Sequence, residues 1–160
     1  MLSRTASGLY WMARYLERAE QLARVLDVTN RLSLMPVRNS QTDELLLPLN
    51  LTGTRQLFET LNGRFTMPQL FNFFALDDRN PSSIFSCWQE AWNNAHAVRG
   101  SLSSEVWESI NSTWIEMRNM RRRGITSANA DSFFDWVKER SHLFRGAMFG
   151  TLLRGDAMCF

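Results

Sequence analysis

The sequence predicts an all-α protein, an antiparallel helical bundle with a long N-terminal helix and several short connecting helices. Leu and Met, which favour helices, total 28 residues, whereas the β-branched Ile and Val total 10. Apolar residues recur at spacings of three and four, and no strand-like alternation between hairpin turns occurs. The four prolines stand at plausible joints between helices: Pro36, Pro48, Pro68 and Pro81.

The first predicted helix runs from about Thr5 to Leu34 and has two apolar stripes, which predict burial on two sides. The first stripe contains Leu9, Met12, Leu16, Ala19, Ala23 and Leu26. The second contains Trp11, Tyr15, Leu22, Val25, Thr29 and Leu32. The remaining face is polar and carries Glu17, Glu20, Gln21, Arg24, Asp27 and Arg31. On this face Glu20–Arg24 and Asp27–Arg31 are i,i+4 ion pairs in the favourable orientation.

Short helices follow in the middle of the chain. A polar loop is predicted over residues 37–41, after which Thr42 would cap a helix that Pro48 interrupts or kinks. Thr54–Leu61 and Pro68–Leu76 predict two further helices separated by Gly63.

Three long helices are expected after these. Asn80-Pro81 predicts a helix start, and that helix would end near Gly100. Its buried face would contain Ile84, Cys87, Trp88, Ala91, Ala95 and Val98. Ser103 or Ser104 would cap the next helix, which ends in Arg121-Arg122-Arg123 before Gly124. The last helix is predicted from about Ala130 to Arg154, with Gly155 breaking it.

Length and composition exclude several classes of protein. The 160 residues fit one domain, and 44% of them are apolar. No signal peptide or membrane-spanning run is predicted, so we expect a cytoplasmic protein with no membrane partner. The net charge of +2 is too small to predict a nucleic-acid partner. Cys87 and Cys159 lie far apart without metal-ligand spacing, which favours free thiols in a reducing compartment.

Arg18 is the most informative residue, because a helical wheel places it between Trp11, Leu22 and Val25. An unpaired charge inside that apolar arc would cost several kcal/mol, so a carboxylate or carbonyl groups from another helix should meet it. Either a structural ion pair or a ligand or partner site would satisfy this requirement, unless the side chain reaches solvent.

Enzyme chemistry finds little support in the sequence. Glu139-x-x-His142 has the spacing of a di-iron carboxylate bundle, but the motif occurs once and such a site needs it twice. No nucleophile elbow, phosphate-binding glycine loop or zinc-protease motif is present. We therefore predict no metal, no cofactor and no catalytic residue. The Arg121–Arg123 run is explained by the negative end of its helix.

Several separate stretches resemble one family, the bacterial alpha-E domain, which is named for its helices and a Glu-Arg motif. The resemblance begins with the opening residues 1–20, which contain Leu16-Glu-Arg-Ala-Glu20. It continues through Asp78–Ile84, Arg99, Ser103–Glu108, Asn111 and Trp136–Gly146. Ala91–His96 departs from the family pattern, since only Asn94 keeps a polar identity there.

The resemblance implies a helical protein encoded beside an ATP-grasp ligase-like protein and transglutaminase-like proteins. Family members are about twice as long, so residues 1–160 are interpreted as one truncated or half-length domain. If a second half normally packs on this one, the apolar surface left open predicts self-association.

The sequence therefore predicts a non-catalytic accessory or scaffold protein of a peptide synthesis or modification system. Its mechanism would be recognition, with arginines binding carboxylates of a partner or peptide. The candidate binding residues are Arg14, Glu17, Arg18, Glu20, Asn94, Arg99, His142 and Arg145. Two alternatives stay open: a metal-dependent or small-molecule-transferring bundle enzyme, and a structural remnant without a partner.

Overall fold

A computed structural model describes residues 2–36, 45–63 and 65–158. Those residues form seven α-helices, one short 3-10 helix at Arg99–Ser101 and no strand. The helices are α1 (Leu2–Ser33), α2 (Leu47–Thr52), α3 (Arg55–Asn62), α4 (Met67–Ala75), α5 (Ile84–Ala97), α6 (Ser104–Arg123) and α7 (Ala130–Met158). The all-α prediction is confirmed. The predicted loop at 37–41 and the Thr42 cap lie outside the described residues.

Four long helices, α1, α5, α6 and α7, run in alternating directions and form a bundle. The start of α1 meets the end of α5, where Gly8 lies against Val98. Phe85 at the start of α5 contacts Trp114 in the second half of α6, with ring centroids 4.9 Å apart. Each helix therefore runs antiparallel to the one before it, as in other up-and-down bundles.

Helix α7 lies against both α6 and α1. On one side Arg140 donates to Glu116 of α6 at 2.9 Å. On the other side Lys138 donates to Asp27 of α1 at 3.0 Å. Because α1 also lies along α5, long helices cover two of its sides. The second covered side is not the predicted apolar stripe, however, because it carries the buried Glu20 and Asp27, whereas Trp11 of the predicted second stripe is exposed.

Small side chains bring α1 and α5 close together. Ala19 and Ala23 of α1 are fully buried, as are Ala91 and Ala95 of α5. The large indole of Trp88 in α5 is also fully buried. Since alanine adds little bulk between two helices, these residues suit a close approach of α1 and α5.

The short helices α2, α3 and α4 pack over one end of the bundle. Pro48 stands in the first turn of α2, and most of the helix predicted before it lies outside the described residues. Gly63 follows α3 with φ of 69°, a backbone conformation that favours glycine. Asn72 of α4 donates to the Ile125 carbonyl at 2.7 Å, which ties α4 to the segment between α6 and α7.

The start of α5 differs from the prediction. Ser83, not Asn80, caps the helix, because its hydroxyl accepts from the Ser86 amide at 3.0 Å. Asn80 is fully buried in the turn before α5, where its side-chain amide donates to the Phe73 carbonyl. The predicted inward face of α5 is nevertheless confirmed, since all six of its residues are buried.

The ends of α6 and α7 show one confirmed and one wrong prediction. Ser103 caps α6 by accepting from the Val106 amide, and Gly124 with φ of 72° ends the helix as predicted. Gly155 does not break α7, which continues to Met158. Among the described residues, no helix combines the length and apolar character that crossing a membrane requires.

Candidate partner-binding site

Polar contacts join α1 to α7 along the length of the bundle. The Glu20 carboxylate accepts from Arg24 at 2.9 Å and also pairs with Arg145 of α7. About two turns further along α1, Asp27 pairs with Lys138 at 3.0 Å. The side chain of Glu20 is only 1% exposed, so α7 covers a charge that belongs to α1.

The structure reverses the predicted environments of Glu20 and Arg18. Glu20 was expected on the solvated face, but α7 covers that side of α1, and Arg24 and Arg145 compensate its charge. Arg18 was expected inside the protein beside a carboxylate, but its side chain is exposed. The prediction of a buried ion pair for Arg18 is therefore wrong. The predicted pairs Glu20–Arg24 and Asp27–Arg31 do form.

Arg18 lies in a cleft that α1 forms with α2 and the turn before α5. Its guanidinium carbon is 5.6 Å from the centroid of the Tyr15 ring. We call this site the Arg18 cleft. It has a volume of about 680 Å³ and is lined by Arg14, Glu17, Arg18, Gln21, Leu22, Val25, Pro48, Leu51, Thr52, Pro81, Ser82 and Cys87.

The charges of the Arg18 cleft are unevenly compensated. Arg14 donates to Glu17 at 2.9 Å, so these two side chains neutralise each other. Arg18 has no ion pair with any carboxylate of the described residues, and its contact is with the Tyr15 ring. Within the described part of the chain, one positive charge with free donors therefore remains in the cleft.

Cys87 contributes a buried thiol to the same cleft. Its side chain is 3% exposed, and burial raises the pKa of the thiol to about 11, although the nearby Arg18 charge lowers it. A thiol with this pKa is protonated at neutral pH and is a poor nucleophile. The Arg18 cleft thus offers a cation and apolar surface, without a reactive thiolate.

The eight predicted site residues do not form one cluster. Arg14, Glu17 and Arg18 share the Arg18 cleft, while Glu20 and Arg145 form the α1–α7 ion pair. The other three lie elsewhere. The Asn94 amide donates to the Glu90 carbonyl, the Arg99 guanidinium lies 4.6 Å from the Trp107 ring centroid, and His142 lines a groove between α6 and α7.

Sequence reasoning did not identify the residues that α2 and the turn before α5 bring to the Arg18 cleft. Leu51, Thr52 and Ser82 are distant from Arg18 in the sequence, and no periodicity connects them to it. Gln21 was placed on the polar face of α1 but was not assigned a role. Only the packing of α2 beside α1 assembles this set.

Metal-ligating side chains do not converge. Within the described part of the chain, His, Cys, Asp and Glu form no group of three that could hold a metal ion. Glu139 and His142 share the groove between α6 and α7 without the second Glu-x-x-His helix that a di-iron site uses.

These features define an all-α up-and-down bundle with an arginine in a surface cleft of its first helix that no described carboxylate pairs with. The chain belongs to the Alpha-E family, a predicted alpha-helical domain with a conserved ER motif, whose model matches residues 1–160. The Glu-Arg dipeptide occurs twice in this sequence, as Glu17-Arg18 in the Arg18 cleft and as Glu139-Arg140 on α7. The resemblance found in the sequence is thus confirmed.

Relatives of this chain occur in mycobacteria. An uncharacterized protein of Mycobacterium bovis is 29% identical over 117 residues, which cover 65% of this chain and 13% of that protein. Uncharacterized proteins from two strains of Mycobacterium tuberculosis match with the same identity and coverage. The matched region is therefore a small part of much longer proteins. No solved structure matches the chain.

Proposed function

We propose that this protein is a non-catalytic accessory or scaffold protein that recognises a carboxylate-bearing peptide segment in the Arg18 cleft. The system it would serve is a bacterial ATP-grasp/transglutaminase-associated pathway of peptide synthesis or modification. The partners in this proposal come from the family resemblance, and the binding chemistry comes from the cleft.

The observation that carries the proposal is the charge of Arg18, which no carboxylate of the described residues compensates. Arg14 is already paired with Glu17, so Arg18 is the cation of the cleft that is available to a ligand. A guanidinium presents parallel N–H donors that match the two oxygens of a carboxylate. The neighbouring Tyr15 ring, 5.6 Å away, limits where the guanidinium can lie and so favours one direction of approach.

A peptide fits the remaining surface of the cleft. Leu22, Val25 and Leu51 supply apolar walls, and Thr52 and Ser82 supply hydroxyl groups that can donate or accept hydrogen bonds. A volume of about 680 Å³ falls within the range of clefts that bind small ligands. An acidic side chain or a C-terminal carboxylate could reach Arg18 while an adjacent apolar side chain contacts the walls.

Recognition of a partner can be tested by co-purification. The tagged chain is mixed at micromolar concentration with the ATP-grasp ligase-like protein that the resemblance places beside its gene. We expect stable co-purification that declines at high salt, because a surface cation contributes to binding. If neither that protein nor the transglutaminase-like protein associates, the accessory role is contradicted and a structural remnant without a partner becomes the better account.

A further inference from the structure

A second surface lies on the other side of the bundle, where α6 and α7 leave an open groove of about 1110 Å³. Helix α6 contributes Glu108, Ser109 and Ile115 to it, and α7 contributes Glu139, Leu143 and Gly146. We call this surface the α6–α7 groove. One position beyond Ile115, the Glu116–Arg140 ion pair joins the two helices at 2.9 Å.

The α6–α7 groove has apolar side chains without cover. Ile115 is 51% exposed and Leu143 is 52% exposed, although both lie within regular helices of the bundle. One turn beyond Leu143, Gly146 has no described atom within 4 Å of the position of a Cβ, so another helix could approach closely there. Two exposed branched side chains beside an open glycine are typical of a surface that receives a helix.

The charge of the groove selects the kind of partner. Among the described residues, its lining includes three carboxylates and neither Arg nor Lys, although the whole chain has a net charge of +2. Glu108 and Glu139 are exposed and form no ion pair with a described residue. A partner that brings Lys or Arg would pair with Glu108 and Glu139.

We propose that the α6–α7 groove binds a basic amphipathic helix of a protein partner. The apolar face of that helix would contact Ile115 and Leu143, and its Lys or Arg side chains would reach Glu108 and Glu139. The groove extends from Glu105 to Ile115 along α6, about 15 Å at the rise of an α-helix, which suits about three turns of a bound helix. This surface is separate from the Arg18 cleft, so either proposal can fail without the other.

The test uses a fluorescently labelled peptide of about four helical turns, built from leucine and lysine in an amphipathic pattern. Binding to the full chain is followed by fluorescence anisotropy. We expect saturable binding that weakens about tenfold or more in the double variant Glu108→Gln/Glu139→Gln, and by a similar factor in Leu143→Ser. The same peptide with glutamate in place of lysine should not bind.

Two control variants carry the same types of substitution at positions outside the α6–α7 groove. Glu90→Gln neutralises an exposed carboxylate of α5, and Leu34→Ser replaces an exposed leucine beyond the end of α1. Both should bind the lysine peptide as the original chain does, and all variants should keep its helical circular dichroism.

Three results would overturn the proposal. The first is the absence of saturable binding, and the second is binding that the groove variants leave unchanged. The third is a dimer of the chain that Leu143→Ser dissociates, which would assign the groove to self-association instead of a basic helix.

Discussion

Arg145 of α7 pairs with Glu20 of α1, and the carboxylate it meets is almost completely removed from solvent. A buried carboxylate needs compensation, and here it comes from Arg24 on its own helix and from Arg145 on a helix more than a hundred residues away. The pair thus links the two ends of the chain and sets the position of α7 along α1.

The first prediction concerns this ion pair. Replacing Glu20 by Gln should lower the free energy of unfolding by about 2 kcal/mol, because two guanidinium groups lose the charge that they face. The expected loss is smaller than that for a fully buried ion pair, since Arg24 and Arg145 are each 49% exposed. Urea unfolding measures the change. Glu17→Gln is the matched control at an exposed position, and an equal loss there would contradict the account.

The second prediction concerns the approach of α1 to α5. A Cβ at Gly8 would lie 2.6 Å from Cγ1 of Val98, so Gly8→Ala should destabilise the fold by about 1–3 kcal/mol. Adding Val98→Ala should recover part of that loss by making space. Gly146→Ala, where the added methyl meets nothing, should instead stabilise α7 by about 0.5–1 kcal/mol. Thermal unfolding compares the variants, and a neutral Gly8→Ala would refute the close contact.

The third prediction concerns the Cys87 thiol. Burial raises its pKa from 9.0 to about 11, so its thiolate fraction at pH 8 should be about a hundredfold lower than in the unfolded chain. Because the folded thiol holds its proton to higher pH than the unfolded one, its contribution to stability falls as pH rises from 9.0 to about 11. Alkylation of the Cys87 peptide, followed by mass spectrometry, should be slow until urea is added. Rapid alkylation of the folded chain would contradict this.

The fourth prediction concerns Lys138. A hydrogen bond to Asp27, together with one to Asp135, raises the pKa of Lys138 above its usual 10.5. The stabilisation is therefore complete below pH 10.5 and is lost as pH rises through the higher value of the folded protein. We expect Lys138→Met to cost about 1 kcal/mol at neutral pH. Urea unfolding should show the difference in unfolding free energy between Lys138→Met and the original chain shrinking above pH 10.5. A difference that grows there would contradict the stabilising role of the Lys138 charge.

Helix periodicity predicted the bundle well, but it misassigned the surroundings of two charges on α1. Glu20 lies one turn from Leu16 and from Ala23, both buried, so its position on the buried side was present in the spacing. The aromatic residues Trp11 and Tyr15 suggested burial around Arg18, yet Trp11 is 41% exposed. Which side of a long helix is covered depends on where other helices pack, and one helix's periodicity does not contain that information.

Local signals had similar limits at helix ends. Both Asn80 and Ser83 are good capping residues, and the choice between them depends on the buried hydrogen bond of Asn80 to Phe73. Gly155 is compatible with a helix end but does not require one, whereas Gly124 adopts positive φ and ends α6. The Arg18 cleft was only partly predictable, because α1 supplies its charges in a recognisable motif while α2 supplies walls that share no pattern with it.

The affinity of the Arg18→Met variant for the proposed partner, an ATP-grasp ligase-like protein, tests the central claim most directly. Arg4→Met is the control, since Arg4 is an exposed arginine of the same helix about 21 Å away along its axis. Isothermal titration calorimetry should show binding weakened about tenfold or more by Arg18→Met and unchanged by Arg4→Met. Equal affinities of Arg18→Met and the original chain would contradict the assignment of the Arg18 cleft as the recognition site.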